Sequence, residues 1–198
     1  MVSVRTFHLP HYPSHPIQVS LFKNVSNAAF LRSQLLSANP EFDYAFLDAT
    51  MILSAQQLLL ATQLALHAHL TSRSKTRTPH SELVFRLHPN NNIGESYRKF
   101  GIGDDSTSVI AVKFSLEPEV TNESVTRHLG EVVKGDSVEL SENGEELGVF
   151  ADVGKIRKIY KLNDGPKGKK GPAVNGEARD ESKQLESVIL GTMALKGS

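Results

Sequence analysis

Apolar and polar residues alternate, imperfectly, through Val2 to Leu9 and again through Ile17 to Phe22, with β-branched and aromatic side chains in both. Alternation sends successive side chains to opposite faces, so these segments predict two strands. The stretch between them holds Pro10, Pro13 and Pro16 and predicts a proline-rich connection. Phe30, Leu31, Leu35 and Ala38 then recur at helical spacing, behind Asn24 or Ser26 as cap and ahead of Pro40 as stop. Tyr44 to Leu47 predicts a short strand. Ser54 and Gln57 form a capping-box pattern ahead of a run to Leu70 that is apolar nearly all the way round, so that helix should be buried on most faces.

Thr78 before Pro79 has the form of an N-cap and first helical residue, and a short helix through Leu83 and Leu87 follows, although the alternation there also fits a strand. Asn92 with Glu95 caps the next helix, whose Ile93, Tyr97 and Phe100 share a side before Gly101. Ser108 to Phe114 is apolar at both parities and predicts a central strand. Thr121 to Lys134 predicts a helix with Val125, Leu129 and Val132 inward, and Gly135 stops it. Asp152 caps a further amphipathic helix with Val153, Ile156 and Tyr160 in its stripe. From Asn163 to Asp180, glycine, proline and lysine dominate, which predicts a linker. Beyond it Leu185, Val188, Ile189 and Met193 recover helical spacing. The whole reads as one α/β (α+β) domain, a mixed sheet flanked by several helices: a core over 1–162, an insertion over 163–180, and a C-terminal helix over 181–198 that packs back on the core.

Composition narrows this picture. With 39% hydrophobic and 22% charged residues among 198, a single core is affordable and general disorder is excluded. No cysteine is present, which removes disulfides, thiolate metal sites and thiol nucleophiles, and suits a reducing compartment. Leu58 to Leu70 is too short and too polar to span a membrane, and no targeting segment is read at the start. Twenty-two basic residues balance twenty-two acidic ones, so any nucleic-acid contact has to be local. Arg73, Lys75 and Arg77 form one basic cluster, Lys155 to Lys170 a longer one, and Asp136, Glu139, Glu142, Glu145 and Glu146 an acidic stretch between them.

Candidate chemistry is sparse. His8, His11 and His15 are the best metal-ligand set and carry the reading of a small metal-dependent enzyme, but no carboxylate or cysteine accompanies them. His67 and His69 are two apart on a helix and point to different faces. Gly101-Ile-Gly103 lacks the third glycine of a dinucleotide loop, no Gly-x-Ser-x-Gly elbow occurs, and the acidic stretch has no apolar surroundings to raise a pKa. The residues alone therefore reach a soluble α/β domain without visible catalytic machinery, metal or cofactor.

Lys75-Thr-Arg-Thr78, Leu87-His-Pro-Asn-Asn-Asn-Ile-Gly-Glu-Ser-Tyr-Arg-Lys-Phe-Gly-Ile102 and Lys155-Ile-Arg-Lys-Ile-Tyr-Lys-Leu162 go further. They resemble the TPRKB family, the kinase-binding subunit of the KEOPS (EKC) complex, and the resemblance spans nearly the whole chain. The 163–180 insertion is the main departure and points to a fungal version. The resemblance implies a single mixed α/β domain and a non-enzymatic role. It implies binding to a PRPK-type atypical kinase/ATPase, with the other KEOPS subunits reached indirectly. It further implies help in holding the acceptor end of tRNA for threonylcarbamoyladenosine modification, a link to telomere maintenance, and residence in cytoplasm and nucleus.

Laid onto this chain, the kinase-facing residues are expected among the last two helices, at Ile156, Ile159, Tyr160, Val188, Ile189 and Leu190, unless those stripes pack on the chain's own sheet. The RNA-facing residues are expected at Arg73, Lys75, Arg77, Asn91, Asn92, Arg98 and Lys99, because RNA asks for cations and for a helix N-terminus with free N–H groups. The bland alternative for the asparagines is turn and cap chemistry. A scaffold that binds the kinase without touching RNA is the remaining alternative.

Overall fold

A strand that is apolar at both parities needs cover on both faces, and this chain supplies it. The computed structural model describes residues 2–162 and 175–196, with side chains from 181 onward in the second span. In chain order the regular elements are β1 (Arg5–Leu9), β2 (Tyr12–Lys23), α1 (Ala28–Leu36), β3 (Ala45–Asp48), α2 (Ala55–Leu70), α3 (Pro79–Leu87) and α4 (Ile93–Phe100). They continue with β4 (Val109–Phe114), α5 (Asn122–Val132), β5 (Asp136–Val138), α6 (Val153–Ile159) and α7 (Asn175–Leu195). The sheet runs β1-β2-β4-β3, with β5 also paired to β2, and every pairing is antiparallel. The α/β (α+β) domain expected from the pattern is the one observed, but the sheet is antiparallel in all its pairings rather than mixed, and β4 lies inside it between β2 and β3.

Period-two alternation divides the sheet's side chains between two cores. Ile17, Val19, Leu21, Leu47, Ile110, Val112 and Phe114 meet α2, α3, α6 and α7 on one face. Phe22, Phe46, Val109 and Ala111 meet α1 and α5 on the other. The helix ends follow local sequence. Ser54 Oγ accepts the Gln57 N–H, Thr78 Oγ1 the Ser81 N–H, Asn92 Oδ1 the Glu95 N–H and Asp152 Oδ1 the Lys155 N–H. The Leu83–Leu87 segment is helix rather than strand.

Four further details differ from the reading of the pattern. The supposed proline-rich connection is only a tight turn at Pro10 and His11; Pro13 and Pro16 belong to the first half of β2, where the pairing with β1 slips between Phe7 and Leu9. Such an irregularity absorbs residues that cannot donate to the ladder. Neither Asn24 nor Ser26 caps α1. Its N-cap position is Asn27, whose side chain instead ties down the end of α5 by accepting the Lys134 N–H and donating to the Val132 carbonyl. The short β5 extends the β2 edge beyond β1, where the sequence suggested only an acidic stretch. Of the linker expected over 163–180, residues 163–174 lie outside the described residues, and from Asn175 the chain is already helical.

Candidate functional site

The basic segment between α2 and α3 is built by its own backbone. At the end of α2, Ser72 takes a left-handed conformation (φ 56°) and the Arg73 N–H closes back onto the Ala68 carbonyl at 2.7 Å. Two residues on, the Lys75 and Thr76 N–H groups and the Thr76 hydroxyl all donate to Glu82 Oε2, at 2.9, 3.0 and 2.9 Å. Glu82 is on α3 and fully buried, and its other oxygen accepts from the Arg86 guanidinium one helical turn later, at 2.9 Å. The loop is thereby held by a desolvated carboxylate while the Arg73, Lys75 and Arg77 side chains stay outside.

Arg73 and Lys75 line a groove of about 680 Å³ together with Asn91 and Ile93. Buried Arg86, Phe85 and Lys196 also line it, so cations stand beside the apolar Leu64, Ala68, Ile93 and Ala194. The Lys196 ammonium donates to the Phe85 and His88 carbonyls at the end of α3 and lies 3.6 Å over the Phe85 ring. Burial pushes this lysine down to about 8, Arg86 adds to the fall and Glu82 opposes it. A cleft of this kind can take phosphate on its rim and an unstacked base against its apolar wall.

The other residues expected at an RNA surface do not all join it. Arg77 and Arg98 turn away into a wider depression of about 1120 Å³ on the far side of α3, with Asp43, His80 and Tyr97. Arg98 is moreover engaged by Glu95 of its own helix. Asn92 accepts the Glu95 N–H on Oδ1 as the α4 cap and gives its own N–H to Asn90 Oδ1, so its backbone donor is taken and only its side-chain amide faces out. Asn91 and Lys99 are exposed.

The kinase-facing assignment needs a larger correction. Ile156, Tyr160 and Ile189 are buried in the chain's own core, together with Leu185 and Met193. The Tyr160 hydroxyl donates to the Leu87 carbonyl and lies 3.5 Å from Gln57 Nε2, and burial raises its pKa above the usual phenol range. The α7 stripe lies against α2 and the α6 stripe enters the same core, so these three side chains have no surface to present. Ile159 and Leu190 are half-buried, while Val188 is 46% exposed. Leu195, one helical repeat beyond Val188, is 75% exposed, and the sequence reading passed over it because it falls off the Leu185, Ile189, Met193 stripe.

No catalytic constellation emerges in the wider depression. The Nδ1 atom of buried His80 lies 3.0 Å from Asp43 Oδ1, and its Nε2 accepts the Phe114 N–H at 3.2 Å. With one ring nitrogen occupied by a backbone donor, the imidazole has no free basic nitrogen for the neighbouring Ser81. Lys113 donates to the Asp43 carbonyl at 2.6 Å. Burial works to raise the Asp43 carboxyl, but His80 and Lys113 outweigh it and leave the group below the ordinary carboxylate range. Glu146, in the acidic stretch, accepts the Ser141 N–H and hydroxyl, both at 2.9 Å, and so serves a turn. Among the described residues no three histidines or carboxylates, His8, His11 and His15 included, are grouped to hold a metal ion.

Comparison with known proteins adds a second kind of observation. The family model for kinase binding protein CGI-121 matches residues 22–197. The EKC/KEOPS complex subunit CGI121 of Phaeosphaeria nodorum is 56% identical, over 99% of this chain and 100% of that protein. The subunit of the same name in Aspergillus fumigatus is 42% identical over 98% of this chain and 97% of its own length. That of Schizosaccharomyces pombe is 37% identical over 78% of this chain and 87% of its own.

Proposed function

The chain belongs to the CGI-121 family of kinase-binding proteins, and from that membership we propose that it is a non-catalytic subunit of a KEOPS/EKC complex. In that complex it binds the PRPK-type kinase/ATPase and helps hold the acceptor end of tRNA for threonylcarbamoyladenosine modification. The other subunits are reached through the kinase. A part in telomere maintenance and residence in cytoplasm and nucleus belong to the same proposal. The observation that carries it is the full-length likeness to proteins named as subunits of that complex.

The kinase contact is drawn from the outward side of α7, with Val188 and Leu195 as anchors and Leu190 and Ile159 at the margins, since the inward side is already covered. For RNA, the groove between the 73–77 loop and the start of α4 supports the reading, because Arg73, Lys75 and Asn91 converge there and Arg86 and Lys196 add positive charge to its lining.

Co-purification of this chain with the kinase, followed by binding of tRNA with and without its terminal CCA, tests both halves. Val188→Glu should lower kinase affinity at least 30-fold, about 2 kcal/mol, while circular dichroism stays unchanged. Kinase binding that survives both Val188→Glu and Leu195→Glu rejects this face. Equal affinity for both tRNA forms rejects the acceptor-end contact, and no binding to either leaves only the scaffold that does not touch RNA.

A further inference from the structure

Three charged residues run in series at the groove, the last of them joined through its main-chain carbonyl. Glu82 Oε2 holds the Lys75 and Thr76 N–H groups, and Glu82 Oε1 holds the Arg86 guanidinium at 2.9 Å. Arg86 Nη1 in turn donates to the Lys196 carbonyl at 2.9 Å, across 110 residues of sequence. Lys196 closes the series by donating to the Phe85 and His88 carbonyls, which lie at the end of the same helix α3. All three residues are buried. The series thus starts at the basic loop, passes through α3 and ends at the last turn of α7.

We propose that the end of α7 and the basic loop form one mechanical unit, in which Lys196, Arg86 and Glu82 transmit the docking of α7 to the loop and so fix how Arg73 and Lys75 meet RNA. This rests on the RNA reading given above. Two features of the geometry carry it. The loop backbone from Lys75 to Thr76 is held by a side-chain carboxylate rather than by a strand or helix ladder, so its position depends on where that carboxylate points. The carboxylate's direction is set in turn by Arg86, a planar fork with fixed donor directions, whose far donor is committed to the α7 end. Glu82 and Arg86 are therefore positioning residues, and Lys196 is the latch that seats the last turn. α7 does not depend on the latch for its docking as a whole, because Leu185, Ile189 and Met193 are buried against α2 and the core. Unlatching frees the end of the helix without removing the helix. Since the outward face of the same helix is the proposed kinase contact, the latch also gives the two partners a shared element.

Amide hydrogen exchange and RNA binding on the full chain test this, with a CCA-ended oligoribonucleotide as probe. Lys196→Met should speed exchange of the Lys75 and Thr76 amides at least tenfold and weaken RNA binding about tenfold, with exchange in β4 unchanged. Lys196→Arg, which keeps the charge and the donors, should restore both. Should Lys196→Met prove poorly folded, Glu82→Gln cuts the series at its other end and is expected to give the same pair of changes. Unaltered Lys75 and Thr76 exchange in folded Lys196→Met overturns the link. Faster exchange with undiminished RNA affinity overturns its bearing on RNA. The double variant Arg73→Ala, Lys75→Ala serves as control: if it binds RNA as the parent does, the groove itself is wrong, and the role given to the latch falls with it.

Discussion

The two basic stretches of this molecule, three cations from Arg73 to Arg77 and seven from Lys155 to Lys170, are built differently. Around Arg73 and Lys75 the cations stand on a backbone pinned to a fully buried carboxylate, with two further buried cations lining the same groove. Along α6, Lys155 and Lys158 point into solvent from an ordinary helix surface, and among the described residues Lys155 pairs with its own cap residue Asp152 at 3.8 Å. Lys167, Lys169 and Lys170 lie outside the described residues. Positive charge by itself therefore does not mark a site. What separates the two stretches is that the first has desolvated partners, which fix direction, and the second has water, which does not.

The largest effect that could break this contrast is on stability. Arg86→Leu leaves Glu82 buried without its guanidinium, and stranding one partner of a buried pair costs about 3–5 kcal/mol. The matching change in the other stretch, Arg157→Leu, removes a charge from a partly solvated helix face and should stay within about 0.5 kcal/mol. Urea denaturation of both variants decides the point. Near-equal midpoints mean that Glu82 is not desolvated as described.

Next comes acid. His88, at the rear of the first stretch, accepts the Asn90 N–H on Nδ1, and its pKa is driven down to about 4 by burial first and by Lys196 and Lys99 second. Burial also lowers His80. A histidine whose folded pKa lies below its unfolded value of 6.5 contributes stability that is complete above pH 6.5 and is lost as pH falls toward 4. For His88 the loss is about 2–3 kcal/mol. Urea midpoints measured at pH 7, 5.5 and 4 should fall accordingly, and His88→Gln should flatten part of that slope. The α6 stretch from Asp152 to Leu162 contains no histidine, so it adds nothing of this kind.

Caps give a smaller and more discriminating comparison. Thr78→Ala and Asp152→Ala each delete one side-chain acceptor at a helix start, for about 1 kcal/mol apiece. Thermal melting should find the two alike. Only Thr78→Ala, which loosens the junction between the basic loop and α3, should also weaken RNA binding.

Much of this was legible locally. The caps at Ser54, Thr78, Asn92 and Asp152 and the doubly apolar β4 depend on residues within one turn or one strand. The first half of β2 was hidden because Pro13 and Pro16 break the strand signal, and β5 because three residues are too few to show a period. The stripe Leu185, Ile189, Met193 was legible as apolar, but periodicity says only that a face must be covered and not by what. Here α2 and the chain's own core cover it. Glu82 and Arg86 stand at helical spacing that any reader could pair. Arg86 also donates to the Lys196 carbonyl, more than a hundred residues away, and nothing local announces that contact.

The finest test concerns how each stretch meets a polyanion. Single-stranded RNA releases about 0.7 counterion for each phosphate neutralised, so a logarithmic plot of affinity against salt has a slope that counts contacts. Two phosphates held by Arg73 and Lys75 give a slope about 1.4 steeper than that of the double variant Arg73→Ala, Lys75→Ala. Lys155→Ala with Lys158→Ala removes the same formal charge from a face without a groove and should leave the slope as it was. The net charge of the two variants is identical, so a general field effect would flatten both plots equally. Equal flattening would mean that RNA senses only the total, and the buried Glu82 would then have no bearing on where it lands.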